Sequence, residues 1–275
     1  MLNIDKFLEL SLQEDVGRGD LFSRVSKSIN AQGRIIAKSR GILAGEIYGS
    51  RLAELQNFKI EWLKRDGETF EIGENLLKIE GDSHTILKIE RTLLNIILHA
   101  SSIATNSNSY VEIIKNSGFN TKILDTRKTR PMLRNFEKYA SRIGGAINHR
   151  MGLDDALMLK DTHLKVITDL DNFLKNARKN IPFTSMIEIE CETVEFAKEV
   201  IKKDIDILMC DNMNIDEVRE VVNFRNEFSP KIKIEASGNM RLDRILEYAK
   251  TGVDAISIGA IIHGANWLDL SMKIE

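Results

Sequence analysis

Apolar positions recur along the chain first at helical and then at strand spacing. In residues 3–14, Ile4, Phe7, Leu8 and Leu12 fall on one helical face, and the Gly17–Asp20 segment (GRGD) ends that helix because glycine admits turn geometry. Stretches 33–39, 58–64 and 75–80 read as strands, punctuated by Asp66-Gly67 and Gly81-Asp82. A long helix follows over 85–115, with Leu93, Leu94, Ile97, Leu98, Ile113 and Ile114 on its buried side. The first hundred residues thus predict a mixed α+β unit.

From about 121 the rhythm changes to short apolar runs at 121–125, 156–161, 186–191, 205–211, 232–238 and 254–259. Helical stretches fill 169–179, 193–203, 214–227 and 241–251. Repeated β-α units of this length predict a parallel sheet that curls into a barrel, with an open doubly wound sheet as the competing architecture. In Ile187-Glu188-Ile189-Glu190 the two glutamates share one strand face, since side chains alternate with period two. Charged residues on one face of an otherwise buried strand suit the mouth of a barrel interior, and Glu235 repeats the theme.

Composition narrows the function. The 275 residues suffice for one large α/β domain or two smaller ones, and 43% hydrophobic with 29% charged residues is ordinary for a globular protein. A net charge of −2 disfavours non-specific nucleic-acid binding. No apolar run reaches the ~18 residues of a membrane span. The acidic, amphipathic start does not resemble a signal peptide, so a cytoplasmic location is expected. Cys191 and Cys210 stand in no C-x-x-C arrangement and read as two buried, reduced thiols.

Against this neutral background, residues 125–150 hold seven Lys/Arg and only two acids, Asp125 and Glu137. Arg127, Lys128 and Lys160 directly follow apolar runs, and Asn148-His149-Arg150 follows a Gly-Gly-Ala-Ile segment. The ends of parallel strands are where such folds place chemistry, so these cations point to an anionic ligand of more than one charge. Arg134, Lys138 and Arg142 read instead as structural or surface residues.

Asp161, Glu190, Asp211 and Glu235 each close a predicted strand. Any one of them could simply cap the next helix, as Asp211-Asn212 could before 214–227. Four on successive strands favour a site, and carboxylates so placed could hold Mg²⁺. Glu235–Asn239 (EASGN) and Ser257–Ala260 (SIGA) bring small residues to the last two strand ends, where backbone N–H groups can approach a phosphate. His163 and His263 are isolated and read as structural. No P-loop, Rossmann or zincin motif occurs.

The residues match a known family. EDVGRGD (14–20), GILAGE (41–46), ERTLLNIILHASSIAT (90–105), DTRKTRPMLR (125–134), EKYASRIGGAINHRMGLDDALMLKDTH (137–163), IEIECET (187–193), DILMCDN (206–212), EASGN (235–239) and GVDAISIGAIIH (252–263) together resemble the quinolinate phosphoribosyltransferases. One departure is Asn239, which stands where a second glycine is common. The resemblance implies an N-terminal α/β sandwich domain (1–105, joined by 267–275) and a C-terminal incomplete, open α/β barrel (106–266) carrying the site. It implies a homodimer whose active site is shared between subunits, with Arg91 reaching into the partner's site. Thr126, Arg127, His149, Arg150 and Lys160 are implied for quinolinate together with Arg91. Lys128, Ser237, Gly238, Asn239, Gly259 and His263 are implied for phosphoribosyl pyrophosphate. Lys128, Glu190 and Asp211 are implied as catalytic, with Glu190 and Asp211 also as Mg²⁺ ligands. A same-fold paralogue associated with molybdenum transport and a non-catalytic anion-binding protein are the alternatives.

Overall fold

A computed structural model describes residues 3–275. Two compact units emerge, one formed by 1–108, 130–145 and 264–275 and the other by 109–129 and 146–263.

In chain order, helix α1 (Ile4–Val16) is followed by strands β1 (Asn30–Ala37) and β2 (Gly41–Ile42), helix α2 (Glu46–Gln56), strands β3 (Lys59–Trp62), β4 (Thr69–Phe70) and β5 (Asn75–Asp82), and helix α3 (Ser83–Ser117). Gly17 accepts the left-handed turn that stops α1, with φ +54°. Next come β6 (Lys122–Leu124), α4 (Arg134–Ile143), β7 (Leu157–Leu159), α5 (Asp161–Leu164), α6 (Leu170–Asn180), β8 (Ile187–Cys191) and α7 (Val194–Val200). The chain closes with β9 (Ile207–Asp211), α8 (Ile215–Phe228), β10 (Lys233–Ser237), α9 (Ile245–Ala249), β11 (Ala255–Ser257), α10 (Ala260–His263) and β12 (Leu270–Ile274).

In the first unit β12-β1-β5-β3 form an antiparallel sheet, with β12 pairing β1 from Leu270↔Ala37 to Ile274↔Gly33. Strands β2 and β4 make a separate pair. Helix α2 lies close on β3: a Cβ at Gly49 would stand 2.8 Å from the Trp62 ring, and Trp62 Nε1 donates to Ser50 Oγ at 2.9 Å. Residues 130–145, expected in the barrel, cluster instead with this first unit. The reason is aromatic packing by α4. Phe136 stacks on Phe7 at 5.1 Å and meets Tyr48 edge-on at 4.9 Å, while the Tyr139 hydroxyl donates to Asp66.

The second unit holds a parallel six-stranded sheet in the order β6-β11-β10-β9-β8-β7. Strands β7 to β11 lie side by side in sequence order, and the first strand, β6, pairs with the last, β11. A doubly wound sheet reverses its order at a switch point, whereas this progression is that of a barrel. Strands β6 and β7 remain edges, and beyond β6 a bridge joins Leu124 to Ile147, so the barrel is open there. Apolar strand faces explain the parallel pairing: every residue of β8 is buried, and α8 buries Val218, Val221 and Val222. Both cysteines are free and buried. No helix among the described residues is long and apolar enough to cross a membrane.

Candidate active site

Whether the strand-end acids merely cap helices is decided by the caps themselves. Asn214 caps α8, accepting from Asp216 N at 3.0 Å and Glu217 N at 3.1 Å, while Glu217 returns a bond to Asn214 N at 2.7 Å. Thr193 caps α7. Asp211 and Glu190, at the ends of β9 and β8, are therefore not used as caps, and both line one cavity of about 480 Å³. Asp161 behaves differently. It sits in the first turn of α5, pairs with Lys165 at 3.2 Å, and does not line the cavity. His163 accepts from Lys160 N at 3.0 Å, a structural task as expected.

The same cavity gathers Thr126, Arg127, Lys128, His149, Arg150 and Lys160 from the cationic stretch and Ser237, Gly238 and Asn239 from the end of β10. Lys160 Nζ pairs with Glu190, so the two charges meet at the mouth. Lys128 is exposed, and its N–H donates to Thr126 Oγ1 at 3.0 Å, which folds the β6 exit into a tight turn. Arg127 carries a buried Nε–H without a hydrogen-bond partner among the described residues, a donor that an anion could use. Arg150 is 9% exposed; its guanidinium donates to Ala156 O at 3.0 Å and approaches Met158 Sδ at 3.4 Å. Burial, with Arg127 nearby, lowers the Arg150 pKa.

Gly238 has φ +94°, and a Cβ there would stand 2.3 Å from Asn212 Oδ1, so no other residue fits beside the end of β9. Asn239 adopts a left-handed backbone, φ +48°, and donates to Asn212 Oδ1 at 3.2 Å. Asn212 in turn donates to Asp211 Oδ2 at 2.7 Å. At the end of β11, a Cβ on Gly259 would stand 2.9 Å from the Lys128 stem and 3.1 Å from the His263 ring, which gathers these three residues. Arg91 is exposed on α3 in the first unit and is not among the residues lining this cavity.

Glu235, expected at the mouth, is instead 2% exposed, and Glu188 is 1% exposed. Each places Oε2 3.3 Å from His149 Nε2. Burial disfavours the His149 cation, but the two carboxylates outweigh it and push the ring up to about 10. Burial, together with the charge of Glu235, raises Glu188. Beneath the ring, Asp125 is fully buried and accepts from His149 N at 2.9 Å and Asn148 Nδ2 at 2.6 Å. Met158, Met209 and Asn212 also line the cavity; they lie within matched motifs, but nothing in the sequence singled them out as site residues. A groove of about 510 Å³ in the first unit, lined by Leu8, Leu12, Val16, Leu52 and Leu55, has no comparable convergence of charges.

Comparison with known proteins agrees with this geometry. Residues 20–101 match the family model "Quinolinate phosphoribosyl transferase, N-terminal domain", and residues 103–273 match its C-terminal domain. A Synechocystis protein is 39% identical over 98% of this chain and 92% of its own, and one from Methanocaldococcus jannaschii is 38% identical over 98% and 96%. Both are named "Probable nicotinate-nucleotide pyrophosphorylase (carboxylating)". Among solved structures, NadC from Streptococcus pyogenes has a TM-score of 0.91 at 34% identity, covering 100% of this chain and 98% of that one. The nicotinate-nucleotide pyrophosphorylase from Francisella tularensis has a TM-score of 0.92 at 31% identity, with 100% and 98% coverage.

Proposed function

Because the chain belongs to the quinolinate phosphoribosyltransferase family, it is a decarboxylating pentosyltransferase of NAD biosynthesis, and we propose that the cavity at the barrel's strand ends is where its chemistry takes place. The reaction joins quinolinate to phosphoribosyl pyrophosphate and yields nicotinate mononucleotide, pyrophosphate and CO₂. The observation that carries the assignment is what this one cavity gathers: Arg127, Arg150 and Lys160 together with Glu190, Asp211 and the small residues Ser237, Gly238 and Ser257 at the strand ends.

Quinolinate is a dianion at neutral pH. Arg127, with its unpartnered Nε–H, and Arg150 offer planar forks for its carboxylates, with Lys160, Thr126 and His149 completing the group. Lys128, Ser237, Gly238, Asn239, Gly259 and His263 would cradle the phosphates. Departure of pyrophosphate leaves positive charge at the anomeric carbon, which the carboxylates of Glu190 and Asp211 can stabilise from the adjacent ends of β8 and β9. Attack by the ring nitrogen makes it a cation. That cation stabilises the carbanion left when CO₂ leaves the adjacent carbon, a proton from water then completes the product's C–H bond, and Lys128 and its neighbours need only position and neutralise.

Glu190 and Asp211 also fit Mg²⁺, as hard oxygen donors lining one cavity with room for substrate phosphate. Bound there, the ion would offset charge on the departing pyrophosphate.

A homodimer with a shared site is part of the same proposal. In its support, Leu21, Phe22, Val25 and Ile29 are all exposed, with Val25 at 85%, an apolar stretch that suits a second copy. Arg91 would then serve the partner's cavity.

Incubation with quinolinate, phosphoribosyl pyrophosphate and Mg²⁺, followed by chromatography, should show nicotinate mononucleotide and one CO₂ per product. A same-fold paralogue would form no product, and a non-catalytic anion binder would show only a thermal shift with quinolinate.

A further inference from the structure

Two buried acids lie beneath the cavity with no role in the chemistry above. Glu188 on β8 and Glu235 on β10 project inward from alternate strands, the arrangement that fills a barrel in layers. Their Oε2 atoms converge on one nitrogen, His149 Nε2, each at 3.3 Å. Both oxygens of Glu188 and Oε1 of Glu235 are buried without a hydrogen-bond partner among the described residues, so Glu188 acts on the ring through proximity and charge. The other ring nitrogen is engaged as well: Arg150 N–H donates to Nδ1 at 2.8 Å. A proton on Nδ1 would set two donors face to face, so this geometry holds the neutral ring with its proton on Nε2. The two carboxylates favour a second proton on the ring, but that proton would have to displace the Arg150 N–H from Nδ1, and the 2.8 Å bond opposes it.

Buried carboxylates are costly, and apolar residues of the same size would stabilise the barrel as well or better. Their position beside a cation-rich cavity points to a role in that cavity. Arg150 lies within electrostatic reach of Arg127 and Glu188, and Asp125, just past the end of β6, accepts from the His149 backbone N–H and from Asn148 Nδ2.

Resting on the quinolinate assignment above, we infer that Glu188 and Glu235 are positioning residues, which clamp His149 so that its Nδ1 fixes the Arg150 backbone and presets the Arg150 guanidinium for the substrate dicarboxylate. His149 then serves quinolinate as a strut rather than as a hydrogen-bond donor, since both its nitrogens are taken.

Steady-state kinetics and nitrogen NMR of the full-length protein test this. Glu188→Gln and Glu235→Gln should each raise KM for quinolinate about tenfold, the effect of roughly one lost charge-assisted hydrogen bond, while KM for phosphoribosyl pyrophosphate stays within about twofold. A purely structural role would raise both KM values together and lower Tm. In the wild type, ring ¹⁵N resonances assigned by their loss in His149→Asn should show one protonated and one unprotonated nitrogen at neutral pH. Should the Gln variants not fold, Glu188→Asp and Glu235→Asp replace them, with the same split in KM expected. The inference is overturned by two protonated nitrogens in the wild type, by unchanged KM for quinolinate in both variants, or by a transition-metal ion that copurifies at this cluster and is lost with Glu188. Failure of the wild type to make nicotinate mononucleotide would count against the quinolinate assignment, whereas the NMR signature reads the clamp independently of turnover.

Discussion

Asp211 ends β9 three residues before Asn214 takes over the helix cap, and that division of labour makes its charge available to the cavity. Replacing Asp211 with Asn keeps the volume and removes the charge. Folding should survive with little change in Tm, and kcat should fall ~10²–10³-fold, the usual consequence of losing one electrostatic stabiliser of a transition state. Near-normal turnover would return Asp211 to a structural role. The cationic side carries a second expectation. Arg127, Arg150 and Lys160 line one cavity, and nicotinate, lacking one carboxylate, leaves part of that charge unmatched. An unpaired buried charge costs about 3–5 kcal/mol, so kcat/KM should favour quinolinate over nicotinate by more than about a hundredfold. Comparable values for the two would refute dicarboxylate recognition. At this scale the sequence marked charges well and their depth poorly. Glu190 and Asp211 reach the cavity, but Glu235 ends under His149 and Asp161 in a helical turn. Spacing along a strand says which face a residue shares, and not how far down the barrel it lies.

Elements were legible where their apolar period was clean. The runs at 186–191 and 205–211 become β8 and β9, and the stretch 214–227 becomes α8. Helices α2 and α4 were not read from the sequence, and in α4 burial does not follow hydrophobicity. Helix α4 buries Phe136, Tyr139 and Ala140 but also Glu137 and Lys138. Glu137 is satisfied by Arg130 N at 2.8 Å, by the Arg130 guanidinium at 2.5 Å and by His99 at 3.1 Å, a set that reads in sequence as part of a charge run. A comparable pairing joins elements in the barrel. Asp254, just before β11, accepts from Arg225 of α8 at 2.8 Å and from Ile234 N of β10 at 2.9 Å. Burial opposes its ionised form, but these donors outweigh it and hold the carboxyl below its usual range. A depressed carboxylate pKa stabilises the fold above the unfolded value of about 3.9, and that contribution fades as pH falls through the folded value. Asp254→Ala should therefore cost about 1.5–3 kcal/mol at pH 7, by urea denaturation, with the gap to wild type narrowing below about pH 4. A gap independent of pH would show that packing, not charge, is lost.

Across the whole molecule, the strand order explains why one chain segment supplies both sides of the site. The first barrel strand, β6, lies beside the last, β11, so Thr126–Lys128 from the β6 exit can share a cavity with Ser237–Asn239 and Ser257. That closure follows from the βα repeat, which the sequence displayed; the return of 130–145 to the first unit was hidden, because nothing in a charge run marks which core it serves. Arg91, on α3 of the first unit, leads to the last prediction. If Arg91 completes the partner's site across a two-fold axis, each site combines Arg91 of one chain with Lys160 of the other. Arg91→Ala and Lys160→Ala homodimers should each be nearly inactive. A heterodimer of the two variants has one site with both lesions and one with neither. Unfolding and refolding an equal mixture gives about half heterodimers by random pairing, each with one intact site of its two, so about a quarter of wild-type activity should return. The same mixture without subunit exchange should stay inactive. If native mass spectrometry shows the heterodimer and activity still does not return, Arg91 does not act in trans.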